Sequence, residues 1–488
     1  MLAAALWGAL GFAGSAVLTI TGTRLLGPGA VQWWFAPKLF SSHLTTELVF
    51  YVGVAALVVG WLGLGLELWR SPALGVRELL VIGVLWCLPL AVGAPLFSRD
   101  VYSYIAQGTL LHLGRNPYQV APLILGPLGH AHTLAAVSHI WQKTTAPYGP
   151  LFLAVVGLFV GATGSKLVLC AILVRLLEIL GIVLLGLSLP RLARLVGGEP
   201  RRAVWLMVLS PLVLLQLVSP AHNDALMVGM MAVGVTVALD RWPLLGIAIC
   251  ALAATVKIPA AAAAVFIAVV WARETPGSWN RVRVLAESAL VFAFVITAVS
   301  VATGVGLSWV GSGVFSTPNK VHLAITPSTA AAYTTAMLLR DAGVAIGDRT
   351  LAHIFARVVF AFTGVFALWL LYRVRLKTFV RYLGILLVVA AVGGPAAWPW
   401  YLSWGLALLA ADAKSPLWVA MPVVLVVGAL VVSPGGIVVL PMPHSAPYVL
   451  VIYLVIALLA VLYVRRRRRL EPPHGPPPVT PGAVMASG

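Results

Sequence analysis

The sequence predicts an all-α polytopic membrane protein, and three observations carry that prediction. Of 488 residues, 61% are hydrophobic and only 9% are charged, with a mean hydropathy of +1.01. The apolar residues fall into many separate runs of roughly 17 to 25 residues, the length of a helix that crosses a bilayer. The Lys and Arg behind the net charge of +18 lie mostly in short loops between these runs, so the charge reports membrane orientation and no nucleic-acid partner is expected.

Taken in order, runs at 3–20, 47–69 and 79–97 give three spans. The first lacks a basic segment before it and a small-residue cleavage site after it, so it reads as a retained helix. Arg70 and Arg77 place the loop between the second and third spans inside the cell, which leaves Asp100 outside. Residues 98–147 are more polar, with Gly114-Arg115-Asn116-Pro117-Tyr118, four histidines and Lys143, and read as a long external loop with interfacial helices. The run 148–164 is short. If it crossed fully, Arg191, Arg194, Arg201 and Arg202 would end outside, so it is expected to lie along or dip into the outer leaflet while 167–189 crosses inward.

Spans at 203–218 and 224–239 are joined outside by Ser219-Pro220-Ala221-His222-Asn223-Asp224. Residues 243–272 form two apolar halves broken at Lys257-Ile258-Pro259, with Arg241 on one side and Arg273, Arg281 and Arg283 on the other. Each half is short for a bilayer, so a broken-helix hairpin with Lys257 near its turn is expected. A span at 284–303 leads to a second external loop, 304–349, and 350–372 returns to Arg373, Arg375, Lys377 and Arg381. Short runs at 382–394 and 400–411 flank an external turn, Gly394 to Tyr401, and spans near 417–433 and 447–464 precede Arg465 to Arg469 at the cytoplasmic face. With the hairpin halves counted separately, about 14 membrane helices form one unit over 1–470, followed by a disordered cytoplasmic Pro/Gly-rich tail, 471–488.

Four features then converge on the outer face: the Asp100 loop, the His222-Asn223-Asp224 connection, the loop around Trp309 and Lys320, and the Trp398–Tyr401 turn. Asp100, beside Tyr102 and Tyr104, suits a general base; its competing role is to cap the helix it opens. Asp224 has the same two readings. Lys257 is an ammonium in an apolar helix pair and needs an anion, water or a carboxylate; a phosphate would satisfy it, and so would snorkelling. Lys257→Met is therefore expected to weaken the hold on a phosphate-bearing substrate, read as a raised KM, more than it disturbs folding. Arg115, Lys143 and Lys320 are external cations suited to a phosphate. The Trp-Tyr turn fits sugar stacking as well as interfacial anchoring. Cys87, Cys170 and Cys250 lie in apolar segments without a CxxC, and His130, His132 and His139 lack a ligand pattern, so neither a disulfide framework nor a metal site is expected. No Walker loop, dinucleotide fingerprint or Asp-x-Asp motif is present.

Asp100-Val101-Tyr102-Ser103-Tyr104, Gly114 to Tyr118, Tyr148-Gly149-Pro150-Leu151, Ser219 to Asp224 and Pro399-Trp400-Tyr401-Leu402-Ser403-Trp404, in this order over 1–465, resemble the actinobacterial polyprenyl-phosphomannose-dependent α-1,6-mannosyltransferases, which are GT-C glycosyltransferases. The resemblance implies a plasma-membrane enzyme with an extracytoplasmic active site. It would move mannose with inversion from polyprenyl-phosphomannose to the lipid-anchored mannan core of lipomannan and lipoarabinomannan, and it would need no cofactor. Asp100 would be the catalytic base and Arg115 and Lys257 the donor-phosphate ligands. Tyr102, Tyr104, Asn116, Tyr118, His222, Asn223, Asp224, Trp398, Trp400 and Tyr401 would contact acceptor or sugar. A single Asp stands where some relatives have an acidic pair, which bears on any metal requirement. Two other readings stay open: a GT-C transferase of another lipid-linked sugar such as decaprenyl-phosphoarabinose, and a lipid-linked saccharide transporter.

Overall fold

The computed structural model describes residues 2–26, 30–34, 40–164, 166–312, 326–344, 346–394, 397–412, 420–437 and 444–470. Lys320 and the tail lie outside the described residues. Every element that the described residues form is helical. In chain order these are α1 (Leu2–Gly22), α2 (His43–Arg70), α3 (Val76–Val92), α4 (Asp100–His112), α5 (Ala131–Ala136), α6 (His139–Gln142), α7 (Pro150–Thr163), α8 (Leu167–Leu195), α9 (Pro200–Met207) and α10 (Pro211–Val213). They continue with α11 (Asp224–Leu239), α12 (Pro243–Ala254), α13 (Ala261–Glu274), α14 (Ser278–Ala302), α15 (Ser308–Ser312), α16 (Pro327–Asp341), α17 (Asp348–Arg373), α18 (Phe379–Gly393), α19 (Ser403–Ala411), α20 (Met421–Leu430) and α21 (Ala446–Leu470). Among the described residues seven helices are long and apolar enough to cross a membrane, and the chain is a polytopic membrane protein.

The helices pack through small residues, as expected where lipid offers no hydrophobic drive for association. A Cβ on Gly229 of α11 would lie 2.1 Å from the Gly181 carbonyl oxygen of α8, so these two backbones touch and only glycine fits. The 243–272 segment divides at the place the sequence indicates: α12 ends at Ala254, Lys257 is extended, and Pro259 starts a 3-10 turn into α13. Twelve residues make α12 rise roughly 18 Å, less than the about 30 Å of a hydrocarbon core.

Contacts gather the basic loops at one end of the bundle. Arg201 donates to the carbonyls of Ser71 and Leu74, Arg191 pairs with Asp240, Arg273 donates to the Val374 carbonyl, and Arg381 pairs with Asp412. The α12/α13 hairpin starts and finishes at this end, so Lys257 lies at the other.

Two expectations are revised. Residues 304–349, read as a loop, carry α15 and the 15-residue α16. Thr326 caps α16, accepting from the Thr329 backbone N–H, and Ala332 and Ala336 pack with Leu351 and Ala352 of α17; a Thr/Ala-rich helix with so narrow an apolar face gives little hydropathy signal. The span 203–218 is interrupted at Ser210-Pro211 and passes into a π-helical turn, Leu214–Val218, because Pro211 has no N–H to continue the ladder.

Candidate active site

Asp100 opens α4, but its carboxylate does not cap it. The Ser98 hydroxyl accepts from the Asp100 backbone N–H at 3.1 Å, which leaves the carboxylate free to reach across the loop. Its Oδ1 accepts from Trp141 Nε1 at 3.1 Å, and its Oδ2 stands 3.7 Å from His222 Nε2. Burial pushes the Asp100 carboxyl up to about 6, outweighing the Lys257 ammonium, Ser98 and Trp141, which lower it. The side chain keeps 17% exposure, enough for a hydroxyl to approach.

His222 follows a strained turn: Ala221 has φ +59°, a left-handed conformation unfavourable for a residue with a Cβ. Its imidazole is fully buried and stacks on Trp400 at 3.8 Å, which in turn stacks on Trp398 at 4.8 Å. Burial pushes His222 down to about 4, so the ring is neutral at pH 7 and its contact with Asp100 is not an ion pair. Nδ1 faces the Gln216 carbonyl at 2.5 Å; a carbonyl can only accept, so Nδ1 carries the proton and Nε2 presents a lone pair.

Asp224 begins α11 and is also no cap. Its Oδ2 accepts from Lys257 Nζ at 2.7 Å and its Oδ1 from Trp404 Nε1 at 2.5 Å. The Lys257 ammonium lies 4.5 Å from the Tyr401 ring centroid, and Tyr401 stacks on Trp404 at 4.5 Å. The Lys257 turn is fixed from below by Tyr148-Gly149-Pro150-Leu151. Gly149 N–H donates to the Val256 carbonyl and Leu151 N–H to that of Thr255, and a Cβ on Gly149 would fall 2.0 Å from the Thr255 oxygen. Several buried polar atoms here find no hydrogen-bond partner among the described residues: both amide atoms of Asn223, the Tyr148 hydroxyl and His222 Nε2.

Asp100, His222, Asn223, Asp224, Lys257, Trp398, Trp400 and Tyr401 thus come together. Tyr104 supports them, its hydroxyl 3.5 Å from the Asn223 N–H and its ring edge-on to Tyr148. Tyr102 is buried, and burial pushes its hydroxyl up to about 12, outweighing Arg175 and Arg99, which lower it. Asn116 and Tyr118 have structural partners: Asn116 donates to the Ser308 hydroxyl and accepts from the Tyr118 N–H, and the Tyr118 hydroxyl donates to the Tyr148 carbonyl. Asn116 therefore joins the first loop to the α15 segment. Trp309 points into that segment and donates to Ser300. Arg115 is exposed past the far end of α4, roughly 20 Å from Asp100 by helical rise, and Lys143 is exposed as well.

Sequence reasoning did not select Trp141, Trp404, Tyr148 or Arg175. Trp404 and Tyr148 lay inside motifs already noted, whereas Trp141 had no local signal. Arg175 is fully buried in α8 and donates to the carbonyls of Ala91, Gly93 and Ser219, so one guanidinium ties the strand of chain leading to Asp100 to the one leading to His222.

The family described as alpha-(1->6)-mannopyranosyltransferase, N-terminal domain, matches residues 3–273, and the MptB C-terminal domain matches residues 328–466. The chain is 35% identical to alpha-(1->6)-mannopyranosyltransferase A of Mycobacterium tuberculosis, over 83% of this chain and 80% of the relative. It is 32% identical to a probable alpha-(1->6)-mannopyranosyltransferase of Mycolicibacterium smegmatis, over 75% and 70%. With alpha-(1->6)-mannopyranosyltransferase A of Corynebacterium glutamicum it shares 28% identity over 76% and 80%. No solved structure matches.

Proposed function

Because the chain belongs to the alpha-(1->6)-mannopyranosyltransferase family, we propose that it transfers mannose from polyprenyl-phosphomannose to an α-1,6-mannan acceptor, with Asp100 as general base. The carrying observation is a raised, partly open carboxylate among unpartnered buried polar groups and stacked aromatic rings. The proposal extends to a GT-C architecture with about 14 membrane segments in one unit over 1–470, its C-terminus cytoplasmic. The basic end of the bundle then faces the cytoplasm and the Asp100 end the outside of the plasma membrane.

In this reading the acceptor hydroxyl loses its proton to Asp100 and attacks the mannose anomeric carbon from the face opposite the phosphate, which leaves with the bonding electrons. One displacement inverts a β-linked donor to an α-mannoside. Lys257 has three N–H donors, of which Asp224 engages one, so two remain to hold a phosphate oxygen. Trp398, half-buried at the end of the stack, offers a ring face to a sugar; Trp400 and Tyr401, stacked on His222 and Trp404, support it from behind, and Asn223 offers an amide to sugar hydroxyls. Arg115 stands too far from Asp100 to share that phosphate, and the role it was expected to have passes to Lys257 alone.

The test is transfer of radiolabelled mannose from polyprenyl-phosphomannose to a short α-1,6-mannoside in membranes with matched wild-type and Asp100→Asn protein. A loss of roughly 100-fold or more in the variant is expected, the range for a general base. Equal transfer would remove Asp100 as the base; transfer only from decaprenyl-phosphoarabinose, or movement of the intact lipid across the membrane, would replace the donor or the reaction.

A further inference from the structure

Nothing so far explains why a buried imidazole aims an unpartnered lone pair at the Asp100 carboxylate. Two acceptors facing each other at 3.7 Å repel while Asp100 is ionised. Once Asp100 carries a proton on Oδ2, the same two atoms have what a hydrogen bond needs, a donor and a lone pair, and a small closure brings them into range. The tautomer that makes this possible is fixed by Nδ1–H donating to the Gln216 carbonyl.

The surrounding backbone is shaped to hold that arrangement. Gln216 sits within the π-helical turn, where the Ser219 N–H reaches back to Leu214 and the His222 N–H to Leu217, and such turns commonly accompany functional sites. Ala221 adopts its left-handed conformation immediately before His222. Trp400 stacks on one face of the ring, and Arg175 ties the Ser219 carbonyl to those of Ala91 and Gly93, which precede Asp100 in the chain. Four elements thus set the separation of the imidazole from the carboxylate.

Resting on the reading of Asp100 as the base, we propose that His222 is its positioning residue: Nε2 accepts the hydrogen bond of the proton that Asp100 takes from the acceptor hydroxyl. The acceptor O–H bond breaks and an Asp100 Oδ2–H bond forms. The acceptor oxygen bonds to the anomeric carbon as the carbon–oxygen bond to phosphate breaks, with that electron pair going to the phosphate. The proton stays on Asp100, directed at Nε2, until it leaves to the departing phosphate or to solvent. By stabilising the protonated carboxyl, His222 makes Asp100 a stronger base. The other ionisable groups turned toward the pair are Lys257, Asp224, Tyr104, Tyr148 and Tyr401; on α8, Glu178 meets Asp224 and Arg175 meets Tyr102.

The experiment is the pH profile of mannose transfer, as kcat/KM, in membranes carrying full-length wild type, His222→Phe, His222→Asn and His222→Gln, with Asp100→Asn as control. Phe keeps a ring on Trp400 and removes the lone pair. Asn keeps a donor near the Gln216 carbonyl and has nothing at Nε2, so it serves if Phe fails to fold. Both are expected to move the acid limb down by about one pH unit, the worth of one hydrogen bond, and to lower kcat about tenfold with KM within about twofold. Gln, whose amide oxygen can reach the Nε2 position, is expected to restore part of both. An acid limb that stays in place in both Phe and Asn variants, or a loss confined to KM, overturns the inference. If Asp100→Asn is inactive, the reading of Asp100 survives that outcome; if Asp100→Asn is active, that reading fails first.

Discussion

Removing the Lys257 ammonium tests how the turn of the α12/α13 hairpin is held together. The Asp224 carboxylate is 0% exposed, and Lys257, at 2.7 Å and 12% exposed, is its counter-charge. In Lys257→Met the carboxylate keeps only the Trp404 N–H, and breaking one side of a buried pair costs about 3 to 5 kcal/mol because the remaining charge stays desolvated. For a chain of 488 residues, with an unfolding entropy of about 2.1 cal/mol/K per residue, that loss lowers the melting midpoint by about 3 to 5 °C. Asp224 thus adds a stability cost to the KM effect expected from the sequence alone. Lys257→Met/Asp224→Asn removes the stranded charge and is expected to recover most of the midpoint while the donor KM remains raised. The assay is thermal unfolding of the four members of the cycle in detergent, paired with donor titrations in membranes. A single variant that melts like wild type, or a double variant no more stable than Lys257→Met, would refute the reasoning.

Other perturbations follow from the same contacts. Gly149→Ala forces a Cβ against the Thr255 carbonyl and is expected to destabilise by about 1 to 3 kcal/mol while raising the donor KM, as Lys257 is displaced with its turn; unfolding midpoints and donor titrations check both. Trp141→Phe removes a hydrogen bond that favours ionised Asp100, so the acid limb of kcat/KM is expected to move to higher pH, opposite in sign to the His222 variants. Folding raises the Asp100 carboxyl from 3.8 to about 6, so its ionisation opposes the folded state: the penalty is absent below pH 3.8 and complete above about pH 6. Asp100→Asn is therefore expected to melt above wild type at pH 7.5, and the gap to close as the pH is lowered toward 4, measured by midpoints at both values.

What the sequence made legible was whatever depends on length and local charge. Seven of the expected spans, the break at Lys257-Ile258-Pro259 and the need of Lys257 for a counter-ion all follow from the bilayer acting as solvent, and the counter-ion proved to be Asp224. The helix over Pro327–Asp341 was missed because it is held by a Thr cap and a narrow alanine face, which hydropathy does not register. The contacts of Asp100 with Trp141 and His222 were hidden for another reason. They join residues 41 and 122 positions apart, and no periodicity encodes which loop meets which. Asn116 and Tyr118, which the family resemblance offers as ligands, have polar atoms engaged in bracing the loop, a pairing that no local sequence feature encodes.

The shortness of α12 has a consequence for which part of a polymer can react. In the proposed orientation α12 rises roughly 18 Å from the cytoplasmic boundary of a roughly 30 Å hydrocarbon layer, so a sugar has to descend a well about 12 Å deep to reach Lys257 and the carboxylates beside it. The terminal sugar of a chain can descend such a well with one neighbour trailing behind it. An internal sugar would have to drag both neighbours down with it, folding the polymer back on itself. For the proposed mannan acceptor, depth alone therefore favours lengthening a chain at its tip over decorating its middle, without any contact that reads the sugar's identity.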